Sequence, residues 1–439
     1  MKNFSKTAGN MMLACALTIG TGIPIAAPAA ASTAWVATWS ASPQPVWGPD
    51  FLFPVNTPAV LQDRTVRQVA RISLGGSRLR LVLSNAYGRQ PVTLGKATIA
   101  LSAQDSAIVA NSLRTVTFGG RQTATLLPGA SLLSDPIALP VADSGRVTVS
   151  FWLPDATPVS TFHWDGRQTS WIVPGDNTGS STLTAERGAP ESTTARLLLS
   201  GIQVETPAPA RAVAVIGDSI TDGAAATLDK DRRWPDFLAR RLAPHGVAVI
   251  NAGISGARLL SDGMGVNALA RLDRDVLAQP GVRSVIVMLG INDIAWPGTA
   301  FAPTGQRPSL EMLKAGYRQL IAQAHNRGVR VIGATLTPFS GALPNTPLDN
   351  YYSPDKDALR RQVNDWIRHG GAFDAVIDFD TLLRDPVHPE LMTARYVSAD
   401  RLHPGDEGNR AMADVVDLNA LLPMLITPTK TLAPGAQQP

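Results

Sequence analysis

The sequence predicts two differently built parts: an all-β region over residues 35–205 (the β region) and an α/β region over residues 211–425. In the β region, short alternating or β-branched runs follow one another, separated by Gly, Pro, Asn and Asp. In the α/β region, apolar runs of strand length alternate with segments of helical periodicity. At 439 residues the chain is also long for one domain, so two domains are expected.

The β region is predicted to be a sandwich of antiparallel strands with jelly-roll-like character, because few of its stretches would make a long amphipathic helix. A decorated barrel is the alternative that the pattern leaves open. The runs predicted as strands are Thr65–Ser73, Arg78–Ser84, Val92–Leu101, Arg114–Phe118 and Arg146–Leu153.

A Pro- and Ala-rich segment at residues 206–210 is predicted to link the two domains. The α/β region then begins with continuous apolar runs, which are typical of strands buried on both faces. Its predicted strands are Ala212–Ile216, Val247–Ile250, Val282–Leu289, Val329–Leu336 and Ala375–Phe379. Its predicted helices are Arg232–Leu242, Leu310–Arg327, Asp355–His369 and Asp406–Leu418. This alternation predicts right-handed βαβ units and a parallel sheet.

The two ends of the chain are predicted to lie outside the folded domains. Residues 1–31 have the pattern of a cleaved secretory signal peptide: a basic start, an apolar stretch over Met11–Ile25, and small residues at Ala29–Ala31. This predicts a secreted or periplasmic protein without stable membrane insertion. Residues 426–439, rich in Pro, Ala and Gln, are predicted to be disordered.

The charge and the cysteine content argue against nucleic-acid binding and against thiol chemistry. The formal net charge is +4, of which Lys2 and Lys6 contribute two, and no dense basic stripe follows, so nucleic acid is not an expected partner. The only cysteine, Cys15, lies in the predicted signal, so the mature protein would have neither a disulfide nor a thiol nucleophile. No set of ligands at metal spacing is evident, and neither a metal nor a cofactor is expected.

Polar or glycine residues follow three successive predicted strands of the α/β region. Ser219 comes just after the first strand, Gly256 after the second and Asn292 after the third. The carboxyl ends of parallel strands meet at one edge of a sheet, where ligands bind. Ser219 would act as a nucleophile, and the N–H groups of Ser219 and Gly256 with the Asn292 amide would bind an oxyanion.

A base for this nucleophile is predicted near the end of the chain. His403 would take the proton of Ser219, and Asp400, three residues earlier, would reach Nδ1 of that histidine and fix its tautomer. His388 has a similar setting, because Asp385 precedes it by three residues and Pro389 follows it. His403 is preferred on the wider pattern around it.

These segments resemble the SGNH hydrolase superfamily, also called GDSL esterases/lipases. The resemblance rests on Ser219 within Gly217–Ile220, on Gly256, Asn292 and His403, with Asp400 as the third triad member, and it covers about residues 211–421. Ile220 stands where the motif has Leu. The resemblance implies a flavodoxin-like three-layer α/β/α fold, no cofactor or metal, and hydrolysis of esters or O-acyl groups.

The segment Trp35–Pro43 resembles the start of secreted bacterial members that carry an extra β-domain, which implies a sandwich similar to carbohydrate-binding modules. Several tryptophans would either stack on sugar rings or, as favoured here, fill the core and the seam between domains. They are Trp39, Trp47, Trp152, Trp164 and Trp171.

The function predicted is a secreted serine ester hydrolase that cleaves short-chain acyl esters of small molecules or polysaccharides through an acyl-enzyme. One alternative is a lipase or lysophospholipase, for which apolar residues of the 337–352 loop would supply a larger binding surface. The other is a polysaccharide-binding protein with a secondary O-deacetylase activity. The sequence assigns no substrate-binding residues and no oligomeric state.

Overall fold

The computed structural model describes residues 32–184 and 190–422 of the chain. The predicted signal peptide (1–31) and the predicted disordered tail (426–439) lie outside the described residues. No helix within the described ranges combines the length and the apolar character needed to cross a bilayer.

Short strands make up the β region, as its turn-rich sequence predicts. In chain order they are β1 (Thr33–Ser40), β2 (Gln44–Pro45), β3 (Val60–Leu61), β4 (Arg64–Arg71), β5 (Gly76–Ser84), β6 (Val92–Leu94), β7 (Lys96–Leu101), β8 (Arg114–Thr115), β9 (Ala124–Leu126), β10 (Ser131–Leu133), β11 (Ile137–Val141), β12 (Arg146–Leu153), β13 (Thr157–Pro158), β14 (Thr161–His163), β15 (Ser170–Pro174), β16 (Glu191–Thr193), β17 (Arg196–Leu197) and β18 (Leu199–Pro207).

Two larger antiparallel sheets dominate this region. One has the strand order β1-β18-β5-β10, with β11 also paired to β5, and the other has the order β16-β15-β4-β12-β7-β8. Alternate residues of β5 and β12, such as Leu81 and Val149, are fully buried in one shared core cluster. A common core between two sheets is the arrangement of a sandwich, so the predicted fold class is confirmed here.

The α/β region alternates strands and helices. Its elements are β19 (Arg211–Gly217), α1 (Ser219–Asp222), α2 (Trp234–Leu242), β20 (Val247–Gly253), α3 (Ala268–Leu272), β21 (Val282–Met288), α4 (Ile291–Ala295), α5 (Leu310–His325), β22 (Arg330–Ala334), α6 (Pro354–His369), β23 (Ala375–Ile377), α7 (Phe379–Leu383), α8 (Asp406–Val415) and α9 (Leu418–Leu421). A 3₁₀ turn follows α2 at Ala243–His245, and a π-helical turn follows α3 at Asp273–Leu277.

The five strands β19 to β23 form one parallel sheet in the order β20-β19-β21-β22-β23. This is the flavodoxin-like order, in which the chain reverses direction across the sheet beside β19. Alternate residues of β19 enter different clusters: Ala214 packs with α3, α5 and α6, whereas Val213 packs with α2, α7 and α8. Helices therefore cover both faces, which confirms the three-layer α/β/α fold.

Most predicted elements differ from the structure by a few residues at their ends; the strand predicted at Arg114–Phe118, for example, ends at Thr115. Three of the differences have a clear local cause. The run Val92–Leu101 is divided at Gly95, where a Cβ would lie 2.4 Å from the Trp152 ring, and the two halves pair with different strands. Phe379 begins α7 instead of ending a strand, because the Asp378 side chain accepts the Thr381 N–H and caps that helix. The closing helix ends at Val415, and Asp417 caps the short helix α9.

The β region packs directly on the edge strand β20 of the parallel sheet. The Val249 N–H donates to Ser73 Oγ at 2.9 Å, and Ser40 Oγ donates to the Asn251 carbonyl at 2.8 Å. Exposed strand edges are otherwise open to pairing with other chains, and here serine side chains bind the edge groups. Val36 of β1 and Ala248 of β20 also share one apolar cluster.

The described chain from Thr33 onward is one compact unit by its internal contacts. The predicted linker at residues 206–210 overlaps the end of β18, which runs through Pro207, and β19 begins at Arg211. The predicted domain boundary at this place stays a prediction.

Arg271 of α3 is a buried cation beneath the carboxyl ends of β19 and β20. Its guanidinium donates to the carbonyls of Ala252 (2.6 Å) and Gly217 (3.2 Å) and to the Asp275 carboxylate (3.1 Å). The Arg271 side chain is 0% exposed and that of Asp275 is 2% exposed. Removing one partner of such a pair leaves buried polar groups without hydrogen bonds, and that is costly.

We expect Arg271→Met to lower the free energy of unfolding by about 3–5 kcal/mol, measured by urea denaturation. The matched control is Arg327→Met, because Arg327 pairs with Asp273 at 2.9 Å on the surface, where the two side chains are 60% and 59% exposed. The control should change stability by less than about 1 kcal/mol. Equal losses in the two variants would contradict the role assigned to Arg271.

Candidate active site

Ser219 lies at the carboxyl end of β19, where the chain turns directly into α1. Gly217 allows this turn, because a Cβ there would lie 2.1 Å from Thr221 Oγ1. The Asp218 carboxylate caps α1 by accepting the Ile220 N–H at 3.0 Å. This turn holds the half-buried Ser219 with its hydroxyl directed at His403.

His403 bridges Ser219 and Asp400. Its Nε2 lies 2.7 Å from Ser219 Oγ, and its Nδ1 lies 2.7 Å from Asp400 Oδ2. The intervening residue Arg401 has a φ of +58°, which folds the segment into a tight turn. The other Asp400 oxygen accepts the N–H groups of Leu402 and His403, both at 2.9 Å, so the carboxylate also stabilises the turn.

The carboxylate of Asp400 determines which histidine nitrogen carries the proton. Burial by itself would raise the pKa of Asp400, but the hydrogen bond and charge of His403 and the two N–H donors outweigh it, so this pKa lies well below its usual range. An ionised Asp400 only accepts, so Nδ1 of His403 carries the hydrogen. Nε2 is then left with a lone pair toward the Ser219 hydroxyl, which suits a general base.

Gly256 follows β20 in a conformation that only glycine adopts readily. Its φ is +71°, and a Cβ would lie 2.7 Å from Met264 Sδ and 2.8 Å from the Trp296 ring. Conformation and space therefore both require glycine here. The preceding Ser255 is fixed by Asp222, whose Oδ2 accepts its N–H and its hydroxyl, each at 2.9 Å.

Asn292 follows β21 at the start of α4 and is 3% exposed. Its Oδ1 accepts the Tyr351 hydroxyl at 2.7 Å, and its Nδ2 donates one hydrogen to the Ala257 carbonyl at 3.0 Å. Burial raises the pKa of Tyr351 well above its usual value, so the phenol remains a donor. Because Oδ1 is occupied, the amide cannot flip, and the second Nδ2 hydrogen is available to a ligand.

Two backbone donors adjoin this amide hydrogen. Among the described residues, neither the Ser219 N–H nor the Gly256 N–H donates a hydrogen bond to a protein group. Ser219, Gly256 and Asn292 line one cavity together with Asp400 and His403. A nucleophile, a base and three available donors at one cavity are the parts that acyl transfer requires.

Two further carboxyl groups are buried next to these residues. Burial raises the pKa of Asp218 to about 7, against the opposing effect of the Ile220 N–H. Burial also raises the pKa of Asp293 to about 6, although the N–H groups of Leu259 and Leu260 donate to it at 2.7 and 2.9 Å. Both carboxyls accept backbone N–H groups and so hold the chain around the cavity in place.

The cavity has a volume of about 260 Å³ and a mainly apolar wall drawn from both regions of the chain. The β region contributes Phe53 and Trp164, whose rings stack at 5.4 Å, together with Asp165 and Arg167. The α/β region contributes apolar residues, which are Met264, Trp296, Phe301, Leu343, Leu348, Tyr351 and Leu402.

The structure brings together every site residue that the sequence predicts. His388 lies elsewhere: its side chain is 64% exposed, and its Nδ1 is 3.9 Å from Glu390. The hydrogen bond from Tyr351 to Asn292 and the contribution of Phe53, Asp165 and Arg167 to the cavity wall were not predicted, because no motif marks them. In the 337–352 loop, Leu343 and Leu348 line the cavity, whereas Phe339 is fully buried in the cluster that packs the loop.

Of the tryptophans of the β region, some fill the core and one lines the cavity. Trp39 is buried in the core, Trp47 packs against Phe162 and Trp164, and Trp164 lines the cavity. Within the described ranges, no three His, Cys, Asp or Glu side chains are grouped so that they could hold a metal ion.

Several solved structures are similar to part of the chain. The inhibitor-bound aryl esterase of M. smegmatis is 18% identical and covers 46% of this chain and 95% of its own, with a TM-score of 0.37. A variant of Axe2, an acetyl-xylooligosaccharide esterase from Geobacillus stearmophilus, is 23% identical and covers 47% and 91%, with a TM-score of 0.33. The psychrotrophic esterase EstA from a Pseudoalteromonas species is 18% identical and covers 47% and 93%, with a TM-score of 0.34.

No curated protein matches the chain. Residues 215–411, which run from β19 into α8 and include Ser219, Gly256, Asn292, Asp400 and His403, match the GDSL-like lipase/acylhydrolase family. The chain therefore contains a domain of the GDSL-like lipase/acylhydrolase family and is a carboxylic ester hydrolase.

Proposed function

We propose that the protein is an exported serine esterase that removes short acyl groups through an acyl-enzyme. The observation that carries this proposal is the continuous hydrogen-bonded series Ser219–His403–Asp400, with 2.7 Å at both contacts of the imidazole. A hydroxyl so placed is activated by an adjacent base, which is itself oriented by a third group.

In the first half of the reaction, Ser219 Oγ attacks the ester carbonyl carbon while His403 Nε2 takes its proton. The carbonyl oxygen becomes an oxyanion, which accepts hydrogen bonds from the Ser219 and Gly256 N–H groups and from Asn292 Nδ2. His403 then returns the proton to the leaving alcohol as the C–O bond breaks. Each of these donors is worth about 3–4 kcal/mol in the transition state.

In the second half, water attacks the acyl-enzyme with His403 again acting as the base. The same three donors bind the second oxyanion, and collapse of this intermediate releases the acid and restores the Ser219 hydroxyl. Asp400 stays ionised throughout and stabilises the imidazolium that forms in each half.

The size and lining of the cavity support a short acyl group on a ring-bearing alcohol, such as an aryl or sugar alcohol. A volume of about 260 Å³ is below the ~300–1,000 Å³ of pockets that hold drug-sized ligands. Phe53 and Trp164 offer aromatic faces to a ring, and Asp165 and Arg167 are polar groups beside them. Leu343 and Leu348 are the residues through which a longer acyl chain would bind in the lipase alternative.

We expect the wild-type protein to hydrolyse p-nitrophenyl esters with a kcat/KM that falls from acetyl to palmitoyl. Ser219→Ala should lower kcat by a factor on the order of 10⁶, because it removes the nucleophile, and should leave the urea midpoint unchanged. Activity that rises with chain length would favour the lipase alternative. Full activity in Ser219→Ala would refute the serine mechanism.

Tyr351→Phe should lower kcat about tenfold with little change in KM, because the Asn292 amide loses the contact that fixes its orientation. The loss should be smaller than the ~10²–10³-fold loss that follows outright removal of an oxyanion donor. Tyr352→Phe is the matched control, since Tyr352 contributes its ring to the packing on Phe339 and lies next in sequence. The idea fails if both variants have the wild-type kcat.

The export part of the proposal rests on the amino-acid pattern of residues 1–31. N-terminal sequencing of the enzyme recovered outside the cytoplasm should give a chain that begins just after Ala31. Recovery of the intact Met1 terminus only inside cells would contradict export.

A further inference from the structure

His163 of the β region is in direct contact with the segment that follows Ser219. It ends strand β14, and its Nε2 lies 2.9 Å from Oδ1 of Asp222, the last residue of α1. Its Nδ1 lies 3.1 Å from the Ser42 carbonyl oxygen. The side chains of His163 and Asp222 are 4% and 3% exposed, so water does not compete for these contacts.

The two neighbours of this imidazole specify its protonation state. A carboxylate and a carbonyl only accept hydrogen bonds, whereas a neutral imidazole has a single N–H. A neutral ring would therefore direct a lone pair at one of the two oxygens. The imidazolium donates to both and forms a buried ion pair with Asp222.

The charges around the pair favour the same state. Burial acts to lower the pKa of His163, but Asp222, the Ser42 carbonyl and Asp165 outweigh it, so the pKa lies above the usual histidine value. On the other packed elements, the charged groups are Arg196 of β17, which is the cross-strand partner of His163, Arg271, 3.5 Å from Ser42 Oγ, and Arg233. Arg271 and Arg233 are also attracted by Asp222.

Asp222 links His163 to the segment that carries one of the oxyanion donors. While Oδ1 binds His163, Oδ2 accepts both the N–H and the hydroxyl of Ser255 at 2.9 Å. Ser255 immediately precedes Gly256, whose N–H is one of the available donors at the cavity. A shift of Asp222 would therefore displace that N–H, and a displacement of 1 Å in a reacting geometry costs about 10²-fold in rate.

The β region also holds the loop that follows Asp222 at the end of α1. Arg167 Nε donates to the Ala226 carbonyl at 3.1 Å, and Thr169 Oγ1 donates to Asp229 at 2.7 Å. Ala224 and Ala225 of this loop line the cavity. Asp222 and the loop that follows it are thus both bound to side chains of the β region.

We propose that His163 is a positioning residue, held as an imidazolium, which fixes Asp222 and Ser255 and thereby the Gly256 N–H that binds the oxyanion. The β region then contributes a residue on which the geometry of the oxyanion donors depends. This inference rests on the proposed function, since it assigns the Gly256 N–H to the oxyanion.

The charge of His163 is tested without turnover. In the full chain labelled with ¹⁵N-histidine, a ring with both nitrogens protonated should be present at pH 7.5, above the ordinary histidine pKa of ~6.5, and should vanish in His163→Gln. A neutral His163 ring at this pH would overturn the inference. Because the readout is independent of activity, its failure is distinguishable from full activity of Ser219→Ala, which would refute the proposed function.

The positioning role is tested by kinetics. His163→Ala should lower kcat at least tenfold with KM within about threefold, and His163→Gln should recover most of that loss because its amide can still donate to Asp222. His325→Ala is the matched control and should keep the wild-type kcat, since His325 Nε2 makes the same 2.9 Å contact to Asp374 on the surface. Equal kcat in wild type and His163→Ala, or no recovery by Gln, would overturn the proposal.

The pH profile separates this role from a purely structural one. Because the folded-state pKa of His163 is raised, the ion pair is intact below that pKa and is lost as pH rises through it. The wild-type kcat should therefore fall at the alkaline end, and His163→Gln should lack this fall. An identical alkaline fall in His163→Gln would assign it to another group and contradict the proposal.

Discussion

The structure depends on the parallel register of three strands. Gly217 at the end of β19 lies opposite Gly253 of β20 and Met288 of β21, so the three strands end at the same level. Each following turn delivers one part of the site: the Ser219 hydroxyl and N–H, the Gly256 N–H, and the Asn292 amide. A slip of one residue in any of these pairings would turn the following side chains toward the other face of the sheet.

The surroundings of these turns consist of buried polar groups rather than apolar packing alone. Asp218, Asp222 and Asp293 each accept backbone N–H groups close to the cavity. Burying a carboxyl is costly unless it is hydrogen-bonded, and two of these three have raised pKa values. These hydrogen bonds fix the backbone next to Ser219 and Gly256 before the substrate arrives.

Most of the site residues of the α/β region could be predicted from the sequence, because each is marked by its immediate sequence neighbours. Ser219, Gly256 and Asn292 each stand just after an apolar run, and Asp400 lies within one turn of His403. Tyr351 and His163 gave no such signal: each contacts its partner across 59 residues of chain, and neither belongs to a motif. Element bounds failed where side chains act as caps, as at Asp378 and Asp417, because propensity does not reveal which carboxylate finds a free N–H.

The serine contacts along β20 have a consequence for the order of assembly. Ser40 and Ser73 precede β20 by well over a hundred residues and leave the ribosome long before it, at ~5–20 residues per second. The residues that cover the edge strand are thus synthesised before that strand. Once folded, the β region covers the β20 edge as the parallel sheet closes, so that this edge does not pair with other chains.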